Sequence, residues 1–227
     1  MDERKEQLLQ LIIEYYIAKA EPVGSQFLSA ESPLHVSAAT IRNEMRDLEI
    51  AGFLVQPHTS AGRIPTQKGY RYYVDHIVKP KKLTKKVEEE FEKIQNENTD
   101  TRGQLKSMAK TISDRVDSAV IVAFSKDSLY YTGIGNLFAQ PEFHNYQYTI
   151  HISTLFDRCE QVVDRVYELV GDKTTILIGE ENPFGSVCSL ISMPFGKSGL
   201  IAVLGPIRME YGRVLSIFDH IQHSFTK

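Results

Sequence analysis

Cysteine is scarce in this 227-residue chain, where Cys159 and Cys188 are the only two. Two thiols so placed build no disulfide framework and have no metal-ligand spacing. A reducing cytoplasm is therefore the expected compartment, and buried packing their expected role. Long hydrophobic runs are missing as well. No apolar stretch approaches the ~18 residues that signal a membrane helix, and the longest, such as Ala119–Phe124, have strand length. The start, Met1-Asp-Glu-Arg-Lys-Glu6, is charged, and Glu14 interrupts the apolar run behind it, so neither a signal peptide nor a membrane partner is expected. Nor does one sign of charge dominate: 26 Lys+Arg face 29 Asp+Glu, a net −3. What remains, 42% hydrophobic, 24% charged and 10% aromatic, is the mix of a globular protein, and it excludes disorder, collagen and coiled coil alone.

The small net charge conceals an asymmetry. Residues 1–86 carry 13 basic and 10 acidic side chains, residues 87–227 carry 13 and 19. Most of the basic excess lies in residues 63–86, where eight Lys/Arg meet one acid, Asp75. Such a segment hints at contact with an acidic surface or a nucleic acid.

The N-terminal stretch reads as a series of short elements. Leu8, Leu9, Ile12, Ile13, Tyr16 and Ile17 recur at helical spacing across residues 3–20, which end before Glu21-Pro22. A short helix follows from Gly24-Ser25 to Ala30, and Ser32-Pro33 breaks the chain. Ser37 can N-cap a third helix with Ala38, Ile41, Met45 and Leu48 on one face and Gly52 just past its end. Phe53–Gln56 and Arg63–Thr66 read as two strands around Pro57-His-Thr-Ser-Ala-Gly62, before a helix carrying Tyr70, Tyr73, Ile77 and Val78. Helix, short helix, capped helix and ribbon in that order predict a winged helix-turn-helix over residues 1–78. Residues 79–102 are expected to form a basic helical linker, with Leu83, Val87, Phe91 and Ile94 on one face and a polar run after Gln95. Residues 103–227 change texture. After a helix bearing Leu105, Met108, Ile112 and Val116 come five runs of strand character: Ala119–Phe124, Leu129–Ile134, Thr174–Ile178, Val187–Met193 and Leu200–Leu204. Helices are expected at about 154–170 and 210–225, so the class is α+β, an antiparallel sheet with flanking helices.

The third helix carries the most chemistry. Opposite its apolar face lie Ala39, Asn43, Arg46 and Ile50, with Thr40 and Arg42 on the flanks. Asn and Arg pair bidentately with adenine and guanine in the major groove, and Thr offers a hydroxyl or a methyl. In a helix-turn-helix the N-terminal half of this helix approaches the bases, which selects Ser37, Thr40, Asn43 and Arg46. A solvated helix face is an equally ordinary reading of the same residues. The loop tips the balance: His58, Thr59 and Ser60 are small or ring donors able to hold phosphates, and Arg63 is expected to enter the minor groove. Lys68, Arg71, Tyr72 and the lysines of 79–86 extend the basic surface toward phosphates.

These residues resemble a known family. Pro22-Val-Gly-Ser25, Val36-Ser-Ala-Ala-Thr-Ile-Arg-Asn-Glu-Met-Arg-Asp-Leu-Glu49, Gln56-Pro-His-Thr-Ser-Ala-Gly-Arg-Ile-Pro-Thr66 and Lys68-Gly-Tyr-Arg-Tyr-Tyr-Val-Asp75 are similar to the heat-inducible transcription repressors of the HrcA type. The likeness is nearly continuous over residues 8–78. It is looser in Gly133-Ile-Gly-Asn-Leu-Phe-Ala-Gln-Pro-Glu-Phe143, Ile178-Gly-Glu-Glu-Asn182 and Gly205-Pro-Ile-Arg-Met-Glu-Tyr211. The resemblance implies a homodimeric bacterial repressor on an inverted-repeat DNA operator upstream of chaperone operons. It implies a GAF-like regulatory and dimerisation domain over 103–227, and activity linked to heat and to a GroEL-type chaperonin. Family members also carry an inserted dimerising domain. Here only Ser125-Lys-Asp-Ser128 stands at the expected place, which leaves the family's mode of dimerisation without its usual element. Tyr146, Tyr148, Ile150 and Ile152 alternate like a strand where the family has helix, and helix is the expectation.

Catalysis is not indicated. Gly196-Lys-Ser198 lacks the glycine of a phosphate loop at Ile191 and reads as a hairpin turn. His220 and His223 share a helix face with no third ligand near, so neither metal nor cofactor is expected. Two alternatives to the repressor compete: a regulator gated by a small molecule in the GAF-like domain, and a winged helix used only for protein contact. A surplus of seven positive charges in 24 residues argues against the second.

Overall fold

The computed structural model describes residues 1–31, 34–97, 100–125, 128–196 and 199–225. The break expected at Ser32-Pro33, part of the polar run (Asn98-Thr99), the centre of the shortened joint (Lys126-Asp127) and the turn at Lys197-Ser198 lie outside them. The chain divides into two compact units, Met1–Val78 and Lys79–Lys227.

Unit 1 begins with α1, Glu3–Lys19, N-capped by Asp2, whose carboxylate accepts the Lys5 N–H at 2.9 Å. Leu8, Leu9, Ile12 and Ile13 supply its buried stripe. Next come α2, Ser25–Glu31, and α3, Ala38–Ile50. Ser37 caps α3 by accepting the Thr40 N–H at 3.2 Å. Past the end of α3, Gly52 takes φ +80°, a left-handed turn that glycine enters without penalty. The strands β1, Leu54–Val55, and β2, Ile64–Pro65, pair antiparallel. Arg63 and Val23 exchange two backbone hydrogen bonds of 2.9 Å, which tie the foot of the hairpin to the segment before α2. Two glycines permit this closeness. A Cβ on Gly62 would lie 2.2 Å from the Val23 carbonyl oxygen, and one on Gly69 would lie 2.4 Å from that of Phe53. The unit ends in α4, Gln67–Tyr72, continued by one wide π turn, Tyr73–Ile77.

Unit 2 opens with α5, Lys85–Glu97, and α6, Thr101–Val116. Within the segment 79–102, Phe91 of α5 is buried, and Arg115 of α6 pairs with Glu90. Among the described residues five strands follow in chain order: β3 Ala119–Ser125, β4 Ser128–Thr132, β5 Thr175–Ile178, β6 Cys188–Phe195 and β7 Gly199–Pro206. They form one antiparallel sheet in the order β4-β3-β7-β6-β5. Between β4 and β5 run α7 Ile134–Phe138, α8 Tyr146–Asp157 and α9 Cys159–Leu169; α10, Tyr211–Phe225, closes the chain. One sheet face, with Ile121, Leu190, Leu204 and their neighbours, packs with Leu137 of α7, Ile152 and Phe156 of α8, and Val162, Val163 and Val166 of α9. On the opposite face α6 packs on β3 and α10 on β6. Covering both faces explains why the strands read as unbroken apolar runs rather than alternating ones.

One ambiguous segment takes the expected form, and two elements differ from the sequence expectation. Residues 146–157 are helical, because Ile152 and Phe156, four apart, are the buried positions, while Tyr146, Tyr148 and Ile150 project to solvent. The single helix expected at 154–170 is two, broken at Arg158. The second strand stops at Thr132, where Gly133 turns left-handed at φ +76°, and Ile134 starts α7.

Candidate nucleic-acid interface

On α3, the inward face carries Ile41, Glu44, Met45 and Leu48, and the outward face Ala39, Arg42, Asn43, Arg46 and Ile50. Glu44 is 4% exposed, which only a cationic partner makes tolerable. Arg4 of α1 supplies it. Beside this pair, Lys5 meets Asp47 at 2.8 Å, and Arg63 holds Glu49 through its Nε and Nη2 at 3.0 and 2.9 Å. Each acid of α3 is thus paired with a cation from another element. Arg42, Asn43 and Arg46 are exposed, and their side chains have no hydrogen-bond or ion-pair partner among the described residues. The Ser37 hydroxyl is committed to its cap and to the half-buried Thr40 hydroxyl at 3.0 Å.

His58, Thr59 and Ser60 occupy the exposed hairpin tip. The tip is braced from within. Gln56 donates to the Thr59 and Ala61 carbonyls at 3.0 Å each, Ala61 N–H donates to the His58 carbonyl at 2.9 Å, and the Ser60 hydroxyl lies 3.4 Å from His58 Nδ1. A groove of about 370 Å³ runs between the start of α2, α3 and this loop, with Arg42 and Ser60 among its walls.

Four of the expected contact residues have partners inside unit 1. Arg63 lies at the foot of the hairpin rather than its tip, its side chain 18% exposed against Glu49. Lys68 donates to the Ala51 carbonyl at 2.8 Å and lies 4.7 Å from the Phe53 ring centre, closing the C-terminus of α3. Arg71 pairs with Asp75 at 3.3 Å along its own helix. The Tyr72 hydroxyl donates to Glu6 at 2.5 Å, and its ring packs edge-on to Phe53. That hydrogen bond, with burial and the Glu6 charge, holds the Tyr72 phenol above the usual tyrosine range. The lysines of 79–86 belong to unit 2.

The partners Arg4, Lys5, Glu6 and Glu49 were not singled out from sequence. Glu44 carries a usable signal, since an acid at the spacing of Ile41, Met45 and Leu48 needs a cationic partner. Among the described residues no group of three or more His, Cys, Asp or Glu could hold a metal ion, and no helix is long and apolar enough to cross a membrane. Burial pushes Cys159 up to about 11 and Cys188 up to about 12.

Two units, one of helices with a short hairpin and one built on an antiparallel sheet, define an α+β protein. Residues 75–215 match the family described as HrcA protein C terminal domain, and the chain belongs to that family. The heat-inducible transcription repressor HrcA of Desulforudis audaxviator is 29% identical over 335 aligned residues, covering 100% of this chain and 97% of that protein. That of Halalkalibacterium halodurans is also 29% identical, over 334. That of Acetivibrio thermocellus is 47% identical over 130 residues, 57% of this chain and 34% of that one. The first alignment exceeds this chain's 227 residues by 108, so that many positions of the relative have no counterpart here. A crystal structure of a hypothetical protein at 2.2 Å resolution superposes with a TM-score of 0.74 at 19% identity, over 100% of this chain and 98% of that one, and shares the fold.

Proposed function

We propose that the chain is a DNA-binding, heat-inducible transcription repressor whose residues 1–78 form a winged helix-turn-helix. In this reading α3 enters the major groove and the β1–β2 hairpin is the wing. Residues 103–227 form a GAF-like regulatory and dimerisation domain. The protein acts as a homodimer on an inverted-repeat operator of chaperone genes, under heat and chaperonin control, in the cytoplasm and without catalysis. The names of the relatives support the repressor over a regulator gated by a small molecule.

The observation that carries the reading is the charge pattern of α3. Its acids are neutralised by Arg4, Lys5 and Arg63, so its unpaired groups are the outward Arg42, Asn43 and Arg46. Asn43 and Arg46 read base edges, with Thr40 and the Ser37 end of the helix closest to the groove floor. Arg42 and Ser60, on the walls of one groove, hold a backbone phosphate, with His58 and Thr59 beside them. Arg63 acts by fixing the wing to α3, and Lys68, Arg71 and Tyr72 act by stiffening the unit behind it. Arg42→Ala tests the division of labour. It should weaken binding to all duplexes alike and lower the salt slope by about one. A loss confined to one operator position would assign Arg42 to a base instead.

A further inference from the structure

Unit 2 concentrates its exposed large apolar side chains on α8. Tyr146, Tyr148 and Ile150 are 75, 40 and 47% exposed, and elsewhere in the unit only Tyr131 and Leu169 match them among the described residues. In a chain that is 24% charged, residues 146–156 hold no Lys, Arg, Asp or Glu, and Asp157 at the end of the helix is the first charge. At 100° per residue, Gln147, Ile150, His151 and Thr154 point away from the buried Ile152 and Phe156, with Tyr146 and Tyr148 on the two borders. The threonine hydroxyls of the helix are already paired. Thr149 donates to the Phe143 carbonyl at 2.6 Å and Thr154 to that of Ile150 at 2.9 Å, so covering this face strands neither. Exposed apolar side chains, tyrosine and missing charge are the composition of an interface core.

Charge decides the occupant. A two-fold contact brings residues near the axis beside their own copies, so a face bearing one sign of charge repels itself and a neutral face does not. A strongly charged partner would find no counter-charge here. Residues 79–227 carry 18 basic and 19 acidic side chains, so two copies of the unit approach without net repulsion. Area sets the strength. The three exposed side chains offer about 300 Å² per chain, taking ~200 Å² for each when fully exposed. A standard interface takes about 800 Å² from each partner, which makes this the apolar centre of a weak, concentration-dependent contact.

We propose that two copies of the chain pair through α8, helix against helix, about a two-fold axis near Ile150. The proposal rests on the homodimer reading and names its surface. Sedimentation equilibrium of the full chain at micromolar concentrations tests it, with Ile150→Glu, Ile150→Lys and an equimolar mixture of the two. The wild type is expected to dimerise. Each variant alone sets like charges beside the axis and should associate roughly tenfold more weakly or worse. The mixture should recover the dimer, because Glu then meets Lys, a result that misfolded variants would not give. Variants that dimerise as the wild type does would overturn the assignment to α8 and leave the homodimer reading standing. A mixture no more associated than either variant would overturn the pairing of α8 with its own copy. A monomeric wild type would overturn both readings and leave this face to a partner of another kind.

Discussion

At the residue scale, roles in unit 1 divide between side chains that are free and side chains that are spent. Asn43→Ala and Arg46→Ala should each cost about 1–3 kcal/mol of operator affinity and relax preference at one base pair, with no change in melting temperature. Arg63→Ala should behave differently, because its guanidinium is half-buried against Glu49. Stability and DNA affinity should fall together, and a double-mutant cycle with Glu49→Ala should return a coupling of about 1 kcal/mol in thermal melts. An affinity loss at unchanged stability would return Arg63 to the minor groove. Tyr72 gives a pH signature. Its phenol proton is held above the usual tyrosine range in the folded state, first by the hydrogen bond to Glu6, so its contribution is complete below about pH 10 and lost as pH rises through the folded value. Lys5, raised first by its hydrogen bond to Asp47, acts in the same direction. Urea midpoints should therefore fall in alkali, and less steeply in Tyr72→Phe. Arg63 could not be placed from sequence, since its partner lies 14 residues away on another element and an ion pair between elements leaves no periodic trace.

At the scale of elements, the caps and close approaches set the frame that presents α3. Ser37→Ala removes the acceptor for the Thr40 N–H and should cost about 1 kcal/mol, read as a shifted melting curve. Gly62→Ala should cost more. Its Cβ would lie 2.2 Å from the Val23 carbonyl oxygen, a rigid backbone atom, so the hairpin must leave the segment before α2. Amide exchange at Val23 and Arg63, which now share two hydrogen bonds, would report that release. These features were legible: Ser37 before an apolar period, Gly52 after it, and apolar runs bounded by Gly, Pro and Asn all state local physics. The stretch 144–158 was less so. Aromatic and β-branched residues at alternate positions imitate a strand, whereas burial of Ile152 and Phe156 decides for helix, and burial is a tertiary property. No Gly or Pro marks the break at Arg158.

At the scale of the molecule, the net charge of −3 is shared by both units: residues 1–78 carry 8 basic and 10 acidic side chains and residues 79–227 carry 18 and 19, so the basic run at 79–86 belongs to unit 2. The relative from Desulforudis audaxviator aligns over 108 more positions than this chain possesses, and the proposed dimer is tested on the chain as it stands. A reader with two half-sites loses most of its affinity as a monomer. Sedimentation across a temperature series should show dissociation before the thermal transition of unit 1, and a monomer at low temperature would count against the dimer. The central claim is that α3 reads an operator. Footprinting on the DNA upstream of the chain's own gene and of chaperone genes tests it most directly, using the wild type beside Asn43→Ala/Arg46→Ala at matched salt. The account predicts protection of an inverted repeat by the wild type and its loss in the variant, with the fold intact by melting temperature. Equal protection by both proteins, or no preference for any site over bulk duplex, would contradict it.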